Sequence, residues 1–142
     1  MADRTFLDSN ILVYLFARDV PEKEKVVARI LREGVAEGSL VISTQVMQEV
    51  YSVVTGKFKR TTSPEAAEKA LLRMTEMHVV LLDPGLILAA AARCRKESAS
   101  FWDALIVEAA LKAGCTRLLS EDFQTGREYG ALKVVNPFTG NA

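Results

Sequence analysis

The 142-residue chain has little of several things that usually announce a function. It holds two cysteines, Cys94 and Cys115, and one histidine, His78. Two thiols do not make a disulfide scaffold, and they are read as small buried hydrophobes in a reducing compartment. A zinc site needs three or four ligands, which this chain does not supply from cysteine. Neither sign of charge is in excess. The 18 basic and 18 acidic residues cancel, which argues against a wholly basic coat for nucleic acid and against an acidic tail, while leaving room for a local basic patch. Long apolar runs are missing too. The longest, Val79 to Ala92, is broken by Asp83 and Pro84 and falls short of the about 20 residues that span a bilayer. The opening MADRTFLDSN has no basic stretch leading into an apolar one, and is read as no signal peptide. The expectation is a soluble, cytoplasmic protein with no membrane partner. Repeats, low-complexity tracts and linkers are also lacking.

What is present is a core. Apolar residues make up 49% and charged residues 25% of the chain, too apolar and too balanced for disorder. The length predicts a single domain over 1–142, able to bury roughly 68–70% of the surface its unfolded chain exposes. Short apolar runs alternate with helical patterns. Strands are predicted at residues 4–8, 40–43, 78–82, 116–120 and 132–136. Helices are predicted from Ser9 through Asp19, from Pro21 to Gly38, and from Thr44 to Phe58. Three more are predicted after the Ser63 cap with Pro64, after the Asp83-Pro84 cap, and from Trp102 to Gly114. Wholly apolar strands alternating with helices imply a parallel sheet covered on both faces. The predicted fold is a three-layer α/β/α sandwich around a mostly parallel sheet of about five strands. In such sheets, sites form beyond the carboxyl ends of the strands.

Four acids sit where that rule points. Asp8 closes the first strand, and Asp122 follows the fourth. An N-cap or turn role accounts for either one alone. Glu49 lies in the helix after the second strand, beside the apolar stripe of Val46, Val50 and Val53, whereas a purely solvated acid suits the Gln48 position better. Asp103 opens a helix whose Glu108 and Lys112 form an i,i+4 pair on the solvent stripe, and it is read on the opposite side, above Ile106, Val107 and Ala110. The positive helix end favours an acid in a first turn by about 0.3–1 kcal/mol. That does not explain an unpaired carboxylate facing the core. Gathered in one place, four anions repel unless a cation joins them. Oxygen-only ligation suits Mg²⁺ or Mn²⁺ rather than zinc, and such an ion is matched to phosphodiester hydrolysis. Asn10, Thr44 and Ser120 are candidates to orient water or phosphate, or else caps. His78 is read as structural.

The segments FLDSNILVY, STQVMQEVYSVV and SFWDALIVEAALKAGCTRLLSEDF also carry a resemblance. In order and spacing they resemble PIN-domain proteins, in particular the VapC-type toxins of prokaryotic toxin–antitoxin pairs, over about residues 5–137. The resemblance implies a Mg²⁺- or Mn²⁺-dependent endoribonuclease whose acidic positions fall on Asp8, Glu49, Asp103 and Asp122, with Glu121 an adjacent candidate. It further implies 5′-phosphate and 3′-hydroxyl products, a homodimer, and a small cognate, VapB-like antitoxin that covers the site. Basic residues at 56–60, with Arg93, Arg95 and Lys96, are either phosphate contacts or solvated surface. Phe101 and Trp102 either stack on a base or pack in the core or a dimer.

Two other readings compete. A haloacid-dehalogenase-like phosphotransferase wants a second aspartate two positions after Asp8, where this chain has Asn10. A non-catalytic PIN-like scaffold that binds RNA or protein has no use for an intact acid set.

Overall fold

The computed structural model describes residues 3–139. The strands are β1 (Thr5–Leu7), β2 (Leu40–Ser43), β3 (His78–Val80), β4 (Arg117–Leu119), β5 (Glu128–Tyr129) and β6 (Leu132–Val135). The helices are α1 (Ser9–Leu12), α2 (Pro21–Glu37), α3 (Thr44–Gly56), α4 (Pro64–Met74), α5 (Pro84–Glu97) and α6 (Phe101–Lys112). One sheet runs in the order β3-β2-β1-β4-β6-β5, parallel throughout except that β5 pairs antiparallel with β6. Every residue of β1 and β2 is buried. Since successive side chains point to opposite faces, both faces of the sheet are covered. The three-layer α/β/α architecture follows.

The sheet has six strands rather than the expected five. The addition, β5, is two residues long and forms a hairpin with β6 through Gly130, whose φ is 61°. So short a strand carries no alternation for a sequence pattern to reveal. The helix expected from Ser9 through Asp19 is also shorter. α1 makes one turn, then a 3-10 turn spans Val13–Leu15 and closes with the Phe16 N–H donating to the Val13 carbonyl at 3.0 Å. Val13, Tyr14, Leu15 and Phe16 all pack against the core. Four consecutive residues cannot share one face of an α-helix, and the tighter turn is the compromise.

Three of the remaining helices, α3, α4 and α5, start at a capping side chain. Ser43, Ser63 and Asp83 accept from the backbone N–H of Val46, Ala66 and Leu86, at 3.3, 3.1 and 2.9 Å. Pro21, Pro64 and Pro84 occupy first-turn positions, where a missing N–H costs nothing. The core centres on Phe6, Leu7, Ile11, Ile42, Val46, Val107 and Leu118. Cys94 donates to the Ala99 carbonyl at 2.8 Å, and Cys115 is buried, which pushes its thiol up to about 11. Among the described residues, no helix is long and apolar enough to cross a membrane.

Candidate active site

Sheet topology sets the location. From β1 the chain goes to β2 and β3 on one side, then returns to β4 on the other side of β1. The crevice beyond the carboxyl ends of β1 and β4 is therefore the topological switch point, where open α/β sheets place their ligands. Asp8 leaves β1 there, its N–H donating to the Leu119 carbonyl at 3.0 Å. Ser120, Glu121 and Asp122 leave β4 beside it.

Asp8 is the buried centre, only 6% exposed. Its Oδ1 accepts from the Ser9 N–H at 2.8 Å, so it caps α1. Its Oδ2 accepts from Ser120 Oγ at 2.9 Å and from Asn10 Nδ2 at 3.1 Å. Burial pushes the Asp8 carboxyl up to about 6, against the bonds from Ser120 and Ser9, and repulsion from Glu49 and Asp122 adds to the rise. The Asn10 amide also lies 3.1 Å from both Ser120 Oγ and Asp122 Oδ2, and its Oδ1 accepts from the Glu121 N–H at 3.1 Å. Asn10 thus sits between two carboxylates as their shared donor. Ser120, fully buried, closes the ring by accepting from the Asp122 N–H at 3.2 Å.

Glu49 and Asp103 approach from the helices. Ser9 Oγ donates to Glu49 Oε1 at 3.2 Å, which holds α3 against the start of α1. Asp103 lies in the first turn of α6. Loss of hydration first, and then the charge of Asp122, raises its pKa above the usual carboxylate range. The expectation that Asp103 faces the core is corrected: the residue is exposed. A first-turn side chain leans back past the helix end, so it overhangs the crevice while Ala104–Val107 fill the interior. Gln45, not singled out in the sequence, joins the two helices. Its Nε2 donates to the Trp102 carbonyl at 3.2 Å, and its Oε1 is buried with no partner among the described residues.

The other candidates point elsewhere. Glu121 is clamped by Lys23 Nζ and the Tyr14 hydroxyl, both at 2.5 Å, beneath a Tyr14–Phe138 edge contact. Thr44 Oγ1 accepts from the Leu82 N–H at 3.4 Å and so ties the exit of β3 to α3. His78 stands at the opposite, amino end of the edge strand β3. Arg93 is paired with Glu97 and Glu108. Trp102 is 63% exposed rather than packed in the core, with Phe101 half-buried at its edge.

Asp8 therefore feels the charges of Glu49 and Asp122, and Asp103 that of Asp122, while burial is the largest influence on both Asp8 and Asp103. No lysine or arginine is among the groups that shift either acid. An all-oxygen, anion-rich crevice without a basic partner fits a hard divalent cation by donor chemistry. Among the described residues, though, no three such side chains are drawn into a closed ligand cage, and the Asn10 amide stands where the Asp8 and Asp122 carboxylates converge.

A family model described as the PIN domain matches residues 5–127. The chain belongs to the PIN domain family. Solved structures share the PIN fold at low identity. A toxin–antitoxin complex from Klebsiella pneumoniae matches with a TM-score of 0.66 at 17% identity, over 94% of this chain and 98% of that one. DNA-bound VapBC from Salmonella typhimurium matches at 0.65 and 13%, over 94% and 97%. The Mycobacterium tuberculosis toxin VapC20, which cleaves the sarcin–ricin loop, matches at 0.61 and 19%, over 83% and 91%. Among curated proteins no sequence match was found.

Proposed function

We propose that this PIN domain is a Mg²⁺- or Mn²⁺-dependent endoribonuclease, the toxin of a type II pair restrained by a small VapB-like antitoxin. The observation that carries the reading is Asp8. It is a nearly buried carboxyl at the switch point, raised to about 6 and repelled by Glu49 and Asp122. Folding such a group into place costs stability, and a bound dication removes that cost. The sarcin–ricin loop cleaving toxin and the two toxin–antitoxin assemblies among the structural neighbours support RNA as substrate and an antitoxin as partner. Exposed Leu72, Leu81 and Leu88 leave apolar surface for the homodimer in the same reading.

In this reading Asp8, Asp103 and Asp122 hold the ion, with Glu49 reaching it from α3. A divalent ion held there would supply activation of water near neutral pH and would offset charge on the phosphate. The chain's own polar residues prepare the ligands. Ser120 and Asn10 fix the Asp8 oxygen that faces Asp122, the Asn10 amide keeps Asp122 near it, and Ser9 turns Glu49 inward. Held in this way, the carboxylates need little reorganisation when substrate arrives.

The test is cleavage of end-labelled cellular RNA by purified protein in Mn²⁺, with EDTA as the control. Asp8→Asn and Asp103→Asn are expected to lower the rate by about 100-fold or more while preserving the circular dichroism spectrum. Wild-type rates from both variants overturn the assignment. Growth arrest on expression, relieved by a co-expressed small neighbouring protein, tests the toxin half.

A further inference from the structure

A cation stands at the same carboxyl edge of the sheet, on the hairpin of β5 and β6. The ring of Tyr129, 7% exposed, has the Arg127 guanidinium 4.7 Å from its centroid and that of Arg93 at 5.7 Å. The two arginines differ in what else they touch. Arg93 is neutralised by Glu108 at 2.7 Å and Glu97 at 3.1 Å. Arg127 is exposed, and none of the ion pairs among the described residues involves it. Its backbone is fixed at both ends, with its N–H donating to the Gln124 carbonyl at 3.2 Å and its carbonyl accepting from Val134 at 2.9 Å. Gly126, at φ 89°, closes the turn just before it. Phe123 packs edge-on to Tyr129, with ring centroids 6.5 Å apart.

The placement ties this cation to the acids. Arg127 follows Asp122 by five positions in the turn between β4 and β5. Val134, which donates to the Arg127 carbonyl, pairs with Leu118 of β4, and the next residue, Val135, accepts from the Ser120 N–H at 3.1 Å, so Arg127 stands at the same carboxyl edge of the sheet from which Ser120 and Asp122 leave β4. A phosphodiester strand crossing an acidic crevice needs cationic contacts beyond the one at the reacting phosphate. A guanidinium fork offers two donors to a phosphate, and stacking on a ring limits the freedom lost on binding.

We propose that Arg127, stacked on Tyr129, grips an RNA phosphate neighbouring the one cleaved between Asp8, Asp103 and Asp122. The inference rests on the nuclease reading given above and adds a substrate-binding residue to it. Arg127 lies on the surface, so its replacement leaves the fold in place, which circular dichroism checks.

The experiment uses the full chain and a short fluorescein-labelled RNA hairpin. In Mn²⁺, Arg127→Ala is expected to raise KM about tenfold with kcat changed less than about twofold. With Asp8→Asn as the binding background, the slope of log affinity against log salt between about 50 and 200 mM falls by about 0.7–0.9 when Arg127 is also removed, the signature of one lost phosphate contact. Arg127→Lys restores the slope but not the KM, since it keeps the charge and loses the fork. Unchanged KM and slope in Arg127→Ala, with cleavage intact, remove Arg127 from the RNA and leave the nuclease reading standing. A wild-type protein that neither binds nor cuts RNA in Mn²⁺ overturns both. Loss of a partner protein in Arg127→Ala with RNA binding unaltered assigns the residue to a protein interface and overturns the proposal.

Discussion

At the scale of single residues, Asp8 shows what burial does to a carboxyl. Its folded carboxyl titrates at about 6, above its ordinary value of 3.8. Between those values the native state holds more protons than the unfolded one, so metal-free stability falls as pH rises from about 4 through 6. Two units correspond to about 3 kcal/mol. In EDTA, Asp8→Asn is therefore expected to be more stable than the parent at pH 7.5 by up to about that amount, with the gain gone near pH 4. Urea titrations at the two pH values check the difference, and an equal gain at both pH values refutes the electrostatic cause. The four acids stood out in the chain because Asp8 and Asp122 end strands and Glu49 borders an apolar stripe, whereas the core-facing placement that singled out Asp103 does not hold. Their supporting contacts did not stand out. Asn10 looked like an orienter of water, whereas it bonds the carboxylates themselves, and nothing in LLSEDF separates Asp122, held by that amide, from Glu121, clamped by a cation. That distinction depends on Lys23 and Tyr14, about 100 positions away in the chain.

At the scale of elements, the apolar runs and caps located five strands and most helices because each carries a local signal. Where several elements compete for the same space, the local signal gives out, as in the run from Val13 to Phe16. The hairpin bearing Arg127 and Tyr129 was invisible for a related reason, since β5 exists through its pairing with Leu132 and Lys133. Close approach of elements makes its own demand. Gly34 in α2 faces Leu40 of β2, and a Cβ at Gly34 would stand 2.4 Å from the Leu40 Cγ. Leu40 is 4% exposed, and its Cγ and both Cδ atoms would lie within 2.8 Å of that Cβ, so the whole side chain must shift. Gly34→Ala is expected to destabilise the protein by about 1–3 kcal/mol despite alanine's better helix propensity. Leu40→Val, which shortens the opposing side chain, is expected to recover part of that loss in the double variant. Strict additivity in urea melts points instead to strain within α2.

At the scale of the whole molecule, zero net charge conceals a segregated arrangement. Lys23, Arg93 and Lys112 are each committed to a carboxylate outside the crevice. The acids at the switch point therefore keep their repulsion, a standing cost to the folded state. A ligand that binds only the folded crevice reverses that cost by mass action, adding about 2.7 kcal/mol at a concentration 100 times its Kd. For a chain of this size that corresponds to roughly 8 °C in Tm. The consequence is a crossover between two proteins. In EDTA at pH 7.5 Asp8→Asn melts above the wild type, and in saturating Mn²⁺ it melts below, because it lacks the carboxylate that the ion rewards. Differential scanning calorimetry of both proteins in both buffers reads the sign directly. If Mn²⁺ shifts the two proteins by the same amount, the ion binds elsewhere and the acids of the crevice do not hold it.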